Sequence, residues 1–408
     1  MLRVALIHKH YRPNHLAQAR ALEAQGAVDL TCLELTSGEI EHTWARAGER
    51  PRQFQTLLDG CFEALPQGRI TETLLMTLRA LQPDAVIIAG YNAPALRAAA
   101  RWAKAHNHRS VLLLSAVANA RRRWPLKERV KSWFIRRHFD AAFVGGRAHR
   151  EYLERLGFPG DRVWEGYEVV DNDAFQRGAQ AARVSEKTLR ARMGLPERYF
   201  LFVGRFHPRK NLERLLDAYQ CYRATEPGGW GLVLVGDGPL RSRLQRRSEH
   251  PALRDVIWAG YREVEELPAY YGLAKAVVLP SVEETWGLPV NEAMACALPV
   301  LVSDRCGCAP DLVEEGRNGY RFNPYDVGAL VRTMGRLASL DDQGRETMGR
   351  ASRESIERYT LRDWTSNFLR CLSSVRGGQR PAIGISVRPR AGTDRTPRWE
   401  RHGAEGTQ

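Results

Sequence analysis

Two glutamates with seven residues between them, Glu284 and Glu292, lie in Leu279-Pro-Ser-Val-Glu-Glu-Thr-Trp-Gly-Leu-Pro-Val-Asn-Glu-Ala-Met-Ala295. The apolar run before them reads as a buried strand ending near Pro280, and Pro289 suits the start of a helix, where a missing N–H leaves no acceptor unsatisfied. The amides around Gly287 and Leu288 then stand at a helix N-terminus, ready to donate to phosphate oxygens. Glu284 falls in the loop and Glu292 on the first turn of the helix. Carboxylates accept from hydroxyls and repel phosphate, so the pattern suits a ligand that carries both, with phosphate on the amides and hydroxyls to each side. A second chemical segment, Val203-Gly-Arg-Phe-His-Pro-Arg-Lys-Asn211, leaves another apolar run. Gly204 permits a tight turn there, Arg205 offers a planar fork of donors, and Lys210 adds a cation just before a helix, a combination suited to a diphosphate.

Such residues have to be carried by elements that bring loop ends together. Short apolar runs alternate with amphipathic stretches from Val4–Ile7 to Arg147–Leu156, and the alternation restarts at Tyr199–Val203. The spacing predicts an α/β chain with two Rossmann-like, doubly wound parallel sheets, whose ligands bind beyond the carboxyl ends of the strands. A length of 408 residues accommodates two such domains facing across a cleft. The expected division is 1–175 for the first domain, 176–197 for a polar linker ending in Gly194-Leu-Pro196, and 198–351 for the second domain. Helices are expected over 352–375, crossing back to the first domain, and the basic stretch 376–408, rich in Gly, Pro and Thr, reads as a disordered tail.

Ordered motifs between Phe200 and about Asp326 resemble the donor domain of the retaining GT-B glycosyltransferases of family 4 (glycosyl transferases group 1). Gly204, Arg205 and Lys210 match the family's G-R…K element, Gly236-Asp-Gly-Pro239 its G-x-G-P loop, Glu284 and Glu292 its glutamate pair, and Pro310-Asp-Leu-Val-Glu-Glu-Gly-Arg-Asn-Gly319 its P-D-L-V-x-x-G-x-N-G run. The resemblance implies a retaining, metal-independent transferase that moves a hexose-like sugar from a UDP-, GDP- or ADP-sugar to a saccharide or lipid-linked acceptor, in cell-surface polysaccharide or glycolipid synthesis. It further implies that Arg205 and Lys210 neutralise the donor pyrophosphate, that Glu292 binds the ribose and Glu284 the transferred sugar. Gly236, Gly238 and Tyr261 would border the base. The nucleotide-sugar is a substrate, and no cofactor is implied.

The first half departs from the family in two places. His8-Lys-His-Tyr-Arg-Pro-Asn-His15 stands where many members have a Gly-Gly loop, and Leu114-Ser-Ala-Val117 where many have a His-Asp pair. His8, His10, His15, Tyr91 and Asn92, all in loops expected to face the cleft, are the candidate acceptor-side residues. Asp171-Asn-Asp173 has the form of a metal-binding D-x-D but reads as a turn at the hinge. The seven cysteines show no CxxC or zinc spacing, which points to a reduced compartment, no structural metal, and plain thiols at Cys306 and Cys308.

The net charge of +14 is concentrated: residues 101–150 hold thirteen Lys/Arg against Glu128 and Asp140. Within 121–138, Leu126, Val130, Trp133 and Phe134 share one helical face. That face is expected to pack on the first sheet and leave a solvated basic face; the alternative is docking on an anionic membrane or a lipid-diphosphate acceptor. No apolar run reaches membrane-spanning length, so a cytoplasmic protein, peripheral on the inner membrane face under that alternative, is expected. Two rivals are a non-enzymatic, basic nucleic-acid-binding protein and a glycoside hydrolase using the two glutamates. The charge follows no recognition motif, so no nucleic acid is expected, and the cations beside the glutamates favour a phosphate ligand over a hydrolase's single bond.

Overall fold

The computed structural model describes residues 1–38, 49–117, 124–226, 228–248, 250–253 and 255–375. Their strands form two sheets, every pairing parallel. The first sheet contains β1 (Leu2–His8), β2 (Val28–Gly38), β3 (Phe54–Cys61), β4 (Ala85–Ala89), β5 (Arg109–Leu114), β6 (Ala141–Val144) and β7 (Val163–Glu165), in the order β3-β2-β1-β4-β5-β6-β7. The second contains β8 (Tyr199–Val203), β9 (Gly231–Val235), β10 (Val256–Gly260), β11 (Ala276–Leu279), β12 (Val300–Ser303) and β13 (Gly319–Phe322), in the order β10-β9-β8-β11-β12-β13. Central strands such as β8, β9 and β11 are buried at every residue because helices cover both faces of each sheet, which is why they read as continuous apolar runs. Strand order reverses between β1 and β4 in one sheet and between β8 and β11 in the other, and the loops beyond those pairs are the places where such a sheet opens a crevice.

Two sequence expectations need correction. The stretch expected to be a polar linker, 176–197, is mostly helical, Asn172–Val184 followed by Glu186–Met193. The first of these helices belongs to the second domain, where Phe175, Ala179 and Ala182 join its core. Apart from Phe175 its buried face is alanine, so it carries little apolar signal. A Cβ added at Gly272 would lie 2.6 Å from the carbonyl oxygen of Ala179, a measure of how closely the helix Leu267–Leu273 approaches it. Likewise the boundary at 351/352 falls inside one helix, Asp342–Ile356, which packs with the second domain. The chain crosses back only after Ile356: the last helix, Leu361–Ser374, places Trp364, Phe368 and Leu372 in the core beneath the first sheet.

Candidate functional site

After β8 the chain turns sharply through Gly204, Arg205 and Phe206, and after β9 it turns through Gly236, Asp237 and Gly238. The two turns lie backbone on backbone: Phe206 N donates to Asp237 O at 2.8 Å, and Leu240 N to Phe206 O at 3.1 Å. A Cβ at Gly236 would sit 2.0 Å from Gly204 O, and one at Gly238 2.6 Å from Phe206 O, so both positions exclude any side chain. The G-x-G-P loop therefore shapes the turn that holds Arg205. The partly buried Arg205 guanidinium has no hydrogen-bond or ion-pair partner among the described residues. Tyr261, just past β10, is more than a third exposed and donates its hydroxyl to Glu263 Oε2 at 2.9 Å.

Beyond β11, the neighbouring strand, the loop carries Ser281, Glu284 and Trp286 to the helix Leu288–Ala295, with Gly287 at its N-cap in a left-handed conformation (φ 117°). Lys210, sent from the β8 loop, forms an ion pair with Glu284, and Ser281 Oγ donates to Glu284 Oε2 at 3.2 Å. The two residues expected to serve phosphate and sugar separately are thus in contact with each other. Cys306 and Cys308 are buried, and their turn braces the loop from behind: Gly307 N donates to Glu284 O and Cys308 N to Trp286 O, each at 3.1 Å.

Glu292 is the fifth residue of its helix and so begins the second turn, not the first as expected. It is nine-tenths buried, and Tyr271 donates its hydroxyl to Glu292 Oε2 at 2.5 Å. Burial raises its pKa from 4.5 to about 7, against the opposing pull of the Tyr271 hydrogen bond and the Lys210 charge.

The first domain meets this loop directly. His149, on the helix Arg147–Arg155, is fully buried; its Nδ1 accepts from Gly146 N at 3.2 Å and its Nε2 donates to Thr285 O at 2.8 Å. That arrangement requires the neutral ring, and burial lowers the His149 pKa to about 4. Trp286 packs against Gly145 and Gly146, where a Cβ would come within 3.0 Å of its ring. Its Nε1 donates to Asn291 Oδ1 at 2.8 Å, and Asn291 Nδ2 donates to Glu168 O at 3.2 Å. Arg147 pairs with Asp311 at 2.9 Å, so the P-D-L-V segment also contributes a tie between domains.

The expected acceptor-side residues divide. His8 ends β1, packs at a tilt against His15 with ring centroids 4.2 Å apart, and is kept neutral by burial, its pKa lowered to about 3. His15 lies on the helix Pro13–Ala24, not in the loop, and stacks on Tyr167. His10 turns to Glu34 of β2, 2.9 Å away. Tyr91 packs on the first domain's core, whereas Asn92 is exposed; Arg97 Nη1 binds the carbonyls of both. Asp171 of the D-x-D caps a helix by accepting from Ala174 N at 2.9 Å, and Asn172 Nδ2 ties that helix to the carbonyls of Ile356 and Tyr359.

Sequence reasoning missed Glu168, which follows Tyr167 beyond β7 and is only 8% exposed. Burial raises its pKa; Ser115 and Arg12 oppose the shift, and Glu284 of the other domain reinforces it. Tyr271 and His149 were missed as well. Tyr271 stands in an aromatic run indistinguishable from core, but Gly145-Gly146 beyond an apolar run was a legible sign of close approach.

With two facing Rossmann-like domains, the architecture is GT-B. Residues 186–355 match the family Glycosyl transferases group 1. The sulfoquinovosyl transferase SQD2 of Arabidopsis thaliana is 33% identical over 208 residues, half of this chain and 37% of that protein. The O-antigen chain mannosyltransferase B of Escherichia coli is 32% identical over 210 residues, 50% of this chain and 52% of that one. The chain thus spans about half or less of these curated relatives. Anabaena Alr3699/HepE, solved in complex with UDP, superposes with a TM-score of 0.71 at 16% identity, over 91% of this chain and all of that one, and so shares the fold.

Proposed function

We propose that this chain is a retaining glycosyltransferase that takes a sugar from a UDP-, GDP- or ADP-sugar and delivers it to a saccharide or lipid-linked acceptor. One observation carries the proposal: at the strand-order reversal of the second sheet, the loop after β11 brings Glu284, paired with Lys210, to a helix N-terminus, while Arg205, without a partner among the described residues, stands in the turn after the neighbouring β8. Cations and amides of this kind hold a diphosphate and stabilise its charge as the glycosidic bond breaks. Donor phosphate would draw Lys210 from Glu284, freeing that carboxylate to accept from sugar hydroxyls. Glu292 would accept from the ribose, and Tyr261 would border the base. The new bond would form on the face the nucleotide leaves from, with a phosphate oxygen helping to deprotonate the acceptor. Glycoside hydrolysis by the same pair is disfavoured, since Lys210 occupies one carboxylate and Tyr271 the other.

The test is a screen of UDP-, GDP- and ADP-sugars for donor hydrolysis and transfer. One donor is expected to turn over, and Arg205→Ala should lower kcat about 100-fold or more, with unchanged circular dichroism. Turnover of no donor, or full activity in Arg205→Ala, would refute the assignment.

A further inference from the structure

Of the four residues on the face of helix Pro125–His138 expected to pack on the first domain, only Phe134 does so. Phe134 and Ile135 are buried, but Leu126, Val130 and Trp133, expected to pack on the sheet, are 74%, 60% and 62% exposed. They recur at i, i+4 and i+7, forming a stripe on the side away from Ile135, and Trp124 at the N-cap, 65% exposed, extends it. These are the only tryptophans among the described residues that are exposed to this degree. Lys127, Arg129, Arg136 and Arg137 are exposed around the stripe, and Arg101 lies over the Phe134 ring beside it. The helix's one acid, Glu128, is turned inward, accepting from Lys131 at 2.6 Å and from the Tyr152 hydroxyl at 2.8 Å. What remains outside is apolar at the centre and cationic at the rim. The neighbouring Arg121, Arg122 and Arg123 lie outside the described residues.

We propose that this face docks on an anionic phospholipid bilayer, the stripe entering the headgroup–acyl boundary and the basic rim meeting lipid phosphates. Charge complementarity selects the occupant. A second copy of the chain would bring two basic faces together, and the chain's own segment 376–408, with seven Arg against three acids, is repelled as well. Tryptophans at both ends of a short apolar stripe with flanking cations suit an interface, where rings and long basic stems lie between water and hydrocarbon. No helix among the described residues is long and apolar enough to cross a membrane, so attachment through this face is peripheral.

The position of the helix gives docking a use. It leads from the carboxyl end of β5 back to the start of β6, so Trp124 and Leu126 sit at the same edge of the sheet as the loops after β1 and β4. The bilayer then lies beside the first domain's side of the cleft, where a membrane-anchored acceptor enters. This last step rests on the transferase assignment; the docking itself does not.

The experiment is co-sedimentation of the full chain with vesicles of phosphatidylcholine alone or mixed two to one with phosphatidylglycerol, alongside donor hydrolysis in solution. Wild type should sediment with the mixed vesicles at low salt and not with phosphatidylcholine. Leu126→Ser/Trp133→Ser and, separately, Lys127→Glu/Arg129→Glu should each weaken binding about tenfold or more while hydrolysing donor like wild type, which shows that they fold. No sedimentation of wild type would overturn the proposal. So would unchanged binding of the serine variant, equal binding of wild type and serine variant to duplex DNA and to vesicles, or a concentration-dependent dimer that the serine variant abolishes. Vesicle binding without turnover of any donor would instead remove the transferase assignment and leave the docking surface standing.

Discussion

Glu292 carries a carboxyl group in surroundings that oppose its charge. Its pKa is about 7 in the folded chain against an ordinary 4.5, so between those values the folded state binds a proton that the unfolded chain has released. Stability from this group is therefore complete below about pH 4.5 and declines as pH rises to about 7, by roughly 3 kcal/mol in total. Glu292→Gln keeps the neutral shape and should remove that part of the decline. Thermal melts of the ligand-free protein at pH 5 and pH 8 check it: the gap in Tm between wild type and variant must change with pH in favour of the variant at pH 8. An identical pH dependence in both would mean that the carboxyl is not buried as described. The residue types and spacing of Arg205, Lys210, Glu284 and Glu292 were visible in the sequence, because chemistry of this kind is local to strand-end loops. The Lys210–Glu284 contact was not, because it joins loops from two strands.

At the scale of elements, the two turns beyond β8 and β9 behave as one unit. Gly236→Ala would place a methyl group 2.0 Å from Gly204 O in a left-handed backbone (φ 137°). The strain should lower stability by about 3 kcal/mol and displace Arg205, an outcome read from urea unfolding together with donor KM. Unchanged stability would contradict the stacked-turn geometry. The central strands were legible because burial on both faces makes them uniformly apolar. Strands β2 and β3 escaped: β3 is an edge strand of mixed exposure, and β2 alternates polar with apolar residues at its start, so neither gives a continuous signal. Helix Asn172–Val184 escaped because its core contacts are largely made by alanine.

Across the whole molecule, the loop bearing Glu284 is held between domains by His149, Trp286, Asn291 and the Arg147–Asp311 pair. His149→Ala would leave the Thr285 carbonyl without its buried donor, at a cost of about 1–3 kcal/mol, and loosen the loop from the first domain. The variant is expected to melt earlier and to bind the donor nucleotide more weakly in calorimetry; full nucleotide affinity would show that the tie does not shape the site. Glu168 belongs to this scale too, since only the approach of the domains sets it near Glu284. The sequence by itself determined the α/β class, the two domains' architecture and which residue types stand at the strand-end loops of the second sheet, because strand burial and loop-end residue types are written over short stretches. Tertiary structure alone decided which carboxylates meet which cations, which histidines are stacked and buried, and which way the helix Pro125–His138 turns its apolar stripe. Helical periodicity defines a face without saying what lies opposite it; that is fixed by the sheet the helix packs on, through residues far away in the chain.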